Sequence, residues 1–138
     1  MKQPGAQPYR IVGRYALYGE IASGGMATVY FGRLIGPIGF SRTVAIKCLH
    51  PQYAKDPDFV SMFVDEARLA ARIQHPNVVP TLDVVTMQGE LFLVMDYVQG
   101  ESLARLARRV RASHSASVPP RIALGIVAGA LDGLHAAH

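Results

Sequence analysis

The sequence predicts an α+β chain in which five strands and one inserted helix are followed by a purely helical segment. Three observations carry this. Runs of β-branched and aromatic residues bounded by Gly, Pro or Asn recur from Tyr15 to Tyr97. One stretch among them, opened by Asp56-Pro57, instead carries apolar residues at helical spacing. After Gly100 only helical spacing remains.

The elements follow in order. Residues 1–14, with two prolines and scattered glycines, read as a flexible N-terminal arm. Tyr15 to Ala22 and Thr28 to Leu34 read as strands joined by a turn at Gly24-Gly25, and Arg42 to Leu49 as a third strand after the loop Gly36-Pro37-Ile38-Gly39. Asp56 at the N-cap and Pro57 at the first helical position start a helix that runs to about Gln74, since His75 precedes a proline. Val78 to Val85 and Leu91 to Tyr97 form a hairpin across Gln88-Gly89. Ser102 caps a helix with Leu103, Leu106, Ala107 and Val110 on one face. A polar loop from Ser113 to Ser117 leads to Pro119-Pro120, which opens a last helix with Ala123, Ile126, Val127, Ala130 and Leu134 at helical spacing. The expected divisions are 1–14, 15–99 and 100–138.

Composition bounds the function. The 138 residues suit one domain or a piece of one, and a 50% apolar content can build a core. No apolar run approaches the ~18 residues of a membrane span, and residues 1–13 contain no apolar signal region. Cys48 is the single cysteine, which excludes an internal disulfide and fits a reducing compartment, so a cytoplasmic location is expected. The net charge of +4 suits an anionic ligand. The arginines at 105, 108, 109 and 111 read as a solvated helix face and not as a nucleic-acid site. His135 and His138, with no cysteine nearby, form no expected metal site.

Chemistry concentrates around Lys47, one of three lysines against eleven arginines, at the end of the apolar strand run Val44-Ala45-Ile46. A buried ammonium needs an anionic partner. Upstream, Ile21-Ala22-Ser23-Gly24-Gly25-Met26-Ala27-Thr28-Val29 is a small-residue loop that a phosphate can approach. Downstream, Glu66 lies among Phe59, Met62, Phe63, Ala70 and Ile73 on the helix stripe. The helix alone leaves two placements for Glu66: facing Lys47, or at the stripe's edge with Arg68 or water.

These residues resemble the N-terminal lobe of a eukaryotic-type serine/threonine protein kinase of the sort bacteria also carry. Val44-Ala45-Ile46-Lys47 matches the family's V-A-I-K, Phe63-Val64-Asp65-Glu66-Ala67 the αC helix, His75-Pro76-Asn77-Val78-Val79 the stretch before the fourth strand, and Leu91 to Val98 the fifth strand and hinge. The glycine loop departs from G-x-G-x-x-G-x-V, because its positions fall on Ala22, Gly24, Ala27 and Val29. The resemblance implies a five-stranded antiparallel sheet plus αC, followed by the first two helices of the helical lobe. It also implies ATP as ligand with Mg²⁺, and protein hydroxyls as phosphate acceptors. Lys47 would hold the α- and β-phosphates and Glu66 would hold Lys47. Ile21, Val29 and Ala45 would sandwich the adenine, with Ala22, Gly24 and Gly25 over the phosphates. Met95 would guard the back of the pocket, and backbone groups of Asp96 and Val98 would read the adenine edge. Either Glu101 or Ser102 would lie near the ribose.

Neither H-R-D-x-x-x-x-N nor D-F-G occurs, so the residues holding Mg²⁺ and the catalytic base are expected outside these 138 residues, and the chain alone is expected to be inactive. Leu134 to His138 resembles the helix end that leads into the catalytic loop, which reads as a truncation there. The alternative function is a non-catalytic, pseudokinase-like or truncated binding module, which has no need of Lys47 and Glu66.

Overall fold

The computed structural model describes residues 7–113 and 117–138. The first six residues of the expected arm and residues 114–116 of the expected polar loop lie outside these. Two compact units divide the chain: one runs to Ile73 and resumes over Val79–Tyr97, and the other comprises Gln74–Val78 and Val98–His138.

In the first unit six strands, not five, form one antiparallel sheet: β1 (Arg10–Val12), β2 (Tyr15–Ser23), β3 (Ala27–Ile35), β4 (Ser41–Leu49), β5 (Thr81–Met87) and β6 (Glu90–Asp96), in spatial order β1-β2-β3-β4-β6-β5. The additional strand, β1, occupies the end of the expected arm. It pairs Val12 with Tyr15 across a two-residue turn whose first residue, Gly13, has φ +57°, a conformation open to glycine. β5 starts at Thr81, three residues later than the sequence predicts, beyond Pro80. Its turn into β6 has positive φ at both Gln88 and Gly89, the geometry a two-residue hairpin favours.

The sheet curls until its two ends meet through side chains. Arg10 of β1 pairs with Glu90 of β6 and stacks over the Phe92 ring, while the Tyr15 hydroxyl of β2 donates to Asp83 of β5 at 2.8 Å. Val12, Tyr15, Leu17, Val44, Ile46, Phe92 and Val94 fill the interior of the curl. On the opposite face Leu49, Leu91 and Leu93 pack under two helices, α1 (Pro51–Ala54) and α2 (Pro57–Ala71). The sequence analysis does not anticipate α1, a single turn opened by Pro51. At the start of α2 Asp56 caps as expected, its carboxylate accepting from the Asp58 N–H at 3.0 Å. The buried face of α2 is Phe63 and Ala67, flanked by Val60 and Val64.

In the second unit α3 (Leu103–Ala112) is capped by Ser102, and α4 is Pro120–Ala137. Val127, Ala130 and Leu134 are exposed, and the helix is approached at Gly129 and Gly133 by Asn77, whose side-chain amide donates to the Gly129 carbonyl at 2.9 Å. A Cβ at Gly133 would stand 2.8 Å from the Asn77 carbonyl oxygen. Among the described residues, no helix is long and apolar enough to cross a membrane.

Two outcomes follow. A Cβ at Gly32 of β3 would lie 2.5 Å from Ile46 Cδ1 and 3.2 Å from the Ala16 carbonyl oxygen, whereas one at Gly25 meets nothing within 4 Å. Gly32→Ala therefore lowers stability by about 1–3 kcal/mol and Gly25→Ala does not, as read from urea unfolding. Arg10 also holds the Glu90 carboxyl below its ordinary range, with burial opposing. A depressed folded-state value adds stability above the ordinary carboxylate range and loses it as pH falls through the folded value. Glu90→Gln accordingly lowers the melting temperature at neutral pH and flattens its decline towards acid.

Candidate functional site

β2 and β3 are joined by Gly24-Gly25-Met26, and two register shifts in β2, after Leu17 and after Glu20, twist the strand as it reaches that tip. β4 runs beside β3 without a break in register and sets Lys47 opposite Val29. Strand alternation puts Ala45, Lys47 and Leu49 on the α2 face of β4 and Val44, Ile46 and Cys48 on the other. α2 supplies Glu66 from above. Loop, strand and helix enclose a cavity of about 360 Å³, and its walls include Gly24, Gly25, Val29, Lys47, Phe63 and Glu66.

Lys47 Nζ lies 3.5 Å from Glu66 Oε1 and 5.4 Å from the centre of the Phe63 ring. The carboxylate faces the lysine, while Arg68 pairs with Asp65 instead. The separation exceeds the ~2.8 Å of a tight charge-assisted hydrogen bond, and the Glu66 side chain is 60% exposed against 29% for Lys47. Glu66 is therefore not buried in an apolar stripe as its neighbours suggest. Phe59, Met62 and Phe63 share its side of the helix because they line the cavity, with Phe63 also reaching the core.

Of the residues singled out from sequence, Ala22, Gly24, Gly25, Val29, Lys47 and Glu66 come together around this cavity. Ile21, Ala45, Met95 and Asp96 do not line it. Ala45 is buried opposite Met95 on neighbouring strands, Ile21 is exposed, and the Asp96 carboxylate accepts from Arg42 at 2.6 Å. Val98 belongs to the second unit. Ser23, Met26 and Ala27 of the expected phosphate loop also line it, and so, unexpectedly, do Leu49, Phe63, Phe59 and Met62. The apolar residues flanking Glu66 on the helix are the signal that pointed to the last two.

Glycine at the loop tip is not demanded by the fold. Neither Gly24 nor Gly25 has a positive φ, and a Cβ on either meets nothing closer than 3.7 Å. Two bare backbone positions beside an ammonium suit an anion that approaches the main chain closely. Among the described residues no group of three or more acidic, His or Cys side chains is placed to hold a metal ion.

Over 138 residues the chain is 41% identical to the tyrosine-protein kinase MasK of Myxococcus xanthus, covering 98% of this chain and 20% of the relative. It is 44% identical over 133 residues to the probable serine/threonine-protein kinase pknA2 of Bifidobacterium longum, covering 93% of this chain and 16% of the relative. The crystal structure of the Mycobacterium tuberculosis PknI kinase domain superposes with a TM-score of 0.72 at 28% identity, over 96% of this chain and 51% of that one. The chain thus spans a fifth or less of these two relatives and about half of the solved domain. The protein kinase domain family matches residues 15–138, and the chain belongs to that family.

Proposed function

We propose that this chain is the ATP-binding part of a serine/threonine protein kinase that transfers the γ-phosphate of ATP to protein hydroxyls in the cytoplasm. The observation that carries the reading is the Lys47–Glu66 pair beneath a glycine tip that the fold itself does not require. The Lys47 ammonium meets the α- and β-phosphates, and Glu66 keeps it from swinging to solvent. The free amide of Gly25 approaches the phosphates from above, while the Gly24 N–H is held by the Ala27 carbonyl. Val29, Ala45, Ile21 and Met95 offer apolar surface to the base, and the backbone carbonyl of Asp96 reads its edge. Mg²⁺ would accompany the nucleotide and neutralise phosphate charge as the bond from the γ-phosphorus to the bridging oxygen breaks and that to the hydroxyl oxygen forms. Preference for serine and threonine is supported by names such as serine/threonine-protein kinase PkaB of Streptomyces coelicolor. The name of the Myxococcus relative makes tyrosine the competing acceptor. Acceptor choice is read by assaying the intact kinase on serine, threonine and tyrosine peptides. A purely scaffolding module is the weaker reading, since such a role has no use for a lysine and a carboxylate held face to face.

ATP titration of the 138-residue chain should show binding that Lys47→Met weakens by about tenfold or more, since a charged hydrogen-bond partner is lost. Gly24→Val should weaken it while leaving the fold intact. Equal binding by all three proteins removes Lys47 and the loop from the site. Because the Glu66 carboxylate is mostly exposed, Glu66→Gln should change unfolding free energy by no more than about 0.5 kcal/mol. The same change should reduce ATP affinity.

A further inference from the structure

We infer that His50 is a positioning residue for the glycine tip, a role that rests on the nucleotide reading of the cavity. His50 follows the last residue of β4 and stands three positions after Lys47. Its backbone N–H donates to the Met26 carbonyl at 2.9 Å, and its Nε2 lies 2.9 Å from the Thr28 hydroxyl. Thr28 is 8% exposed, and its hydroxyl also lies 3.3 Å from that of Ser23 on the other stem of the loop. Within the loop, the Gly24 N–H donates to the Ala27 carbonyl at 2.9 Å. His50 thus ties the tip through its backbone and the β3 stem through its side chain, and Thr28 passes the hold on to Ser23 of the other stem.

The ordinary explanation for His50 is helix capping, and its geometry argues against that. His50 is the N-cap of α1, where the side chain would normally accept from the first turn, yet it makes no capping hydrogen bond. The ring turns to Thr28 instead. By alternation Thr28 lies on the sheet face opposite Val29 and Lys47, so the tether holds the loop from behind and leaves its cavity side clear. Such a hold has a purpose here. Gly24 and Gly25 have no side chains to pack, and an anion that binds a loose tip must first order it. Fixing the tip to the strand that carries Lys47 sets both phosphate contacts on one rigid element.

The test pairs amide hydrogen exchange with ATP titration on the 138-residue chain. His50→Leu should accelerate exchange at the Gly24 amide and at the residue-50 amide, which donate to the Ala27 and Met26 carbonyls of the tip, leave β5 and β6 amides at the wild-type rate, and raise the ATP Kd on the order of tenfold. His50→Gln, whose amide reaches the same hydroxyl, should recover most of both effects. Thr28→Val should reproduce the loss with His50 intact, and it decides the matter if His50→Leu does not fold. Unchanged exchange at the tip in both variants overturns the role, as does acceleration spread evenly over the sheet. A wild-type chain that binds no ATP, yet loosens at the tip in His50→Leu, sinks the nucleotide reading and leaves the tether standing. ATP binding that falls with Lys47→Met but not with His50→Leu or Thr28→Val overturns His50 alone.

Discussion

The register of β4 is the constraint on which the rest depends. The strand is hydrogen-bonded on both sides, to β3 and to β6, and covered on both faces. Val44 and Ile46 are 0% exposed inside the curl, and Leu49 lies under α1 and α2. A slip of one residue would turn Lys47 into the closed core and Ile46 towards the cavity. The cost of an unpaired ammonium in that interior fixes the register as firmly as burial of the aliphatic residues does. The same register sets Val29 opposite Lys47 and delivers His50 to the base of the loop. A strand held this firmly can carry a functional lysine without relying on that lysine for its own stability.

Helix α2 divides its apolar surface between two tasks. Val60, Phe63, Val64 and Ala67 cover Leu91 and Leu93, which is where the helix gains its stability. Phe59 and Met62 lie round the helix from this face and close the side of a cavity with Glu66. The ion pair itself contributes little to stability, because both partners reach solvent. Its worth lies in direction: it aims an otherwise mobile four-carbon side chain at the space beneath the glycine tip.

Local chemistry made much of this legible. The Asp56 cap, the Gln88-Gly89 turn and the alternation of β4 each depend on neighbours close in sequence, whereas the pairing of Lys47 with Glu66 came with the family resemblance, the helix alone leaving two placements open. β1 was not legible because Arg10-Ile11-Val12 is too short to show a period. What holds it, the Arg10–Glu90 pair, spans eighty residues. The exposure of Glu66 was hidden for a different reason. A helical projection cannot separate apolar residues that face a core from those that face a cavity, and α2 carries both. The approach of Asn77 to α4 was not legible because it runs through Gly129 and Gly133, which carry no hydrophobic signal yet permit close contact.

The departures of the glycine loop from the family pattern follow from the same ladder. Ala22 pairs with Val29 and Ala27 with Leu49, so both alanines sit at strand positions where a side chain is ordinarily accommodated. Gly24 and Gly25 sit where no partner strand continues. An anion that reaches the main chain is hindered by a Cβ only at the unpaired tip, because the stem amides are already engaged with neighbouring strands. Alanine at the stems therefore leaves the approach open while restricting the backbone more than glycine would. Together with the Thr28–His50 tether, this yields a loop whose freedom is confined to the two residues where the main chain must stay bare.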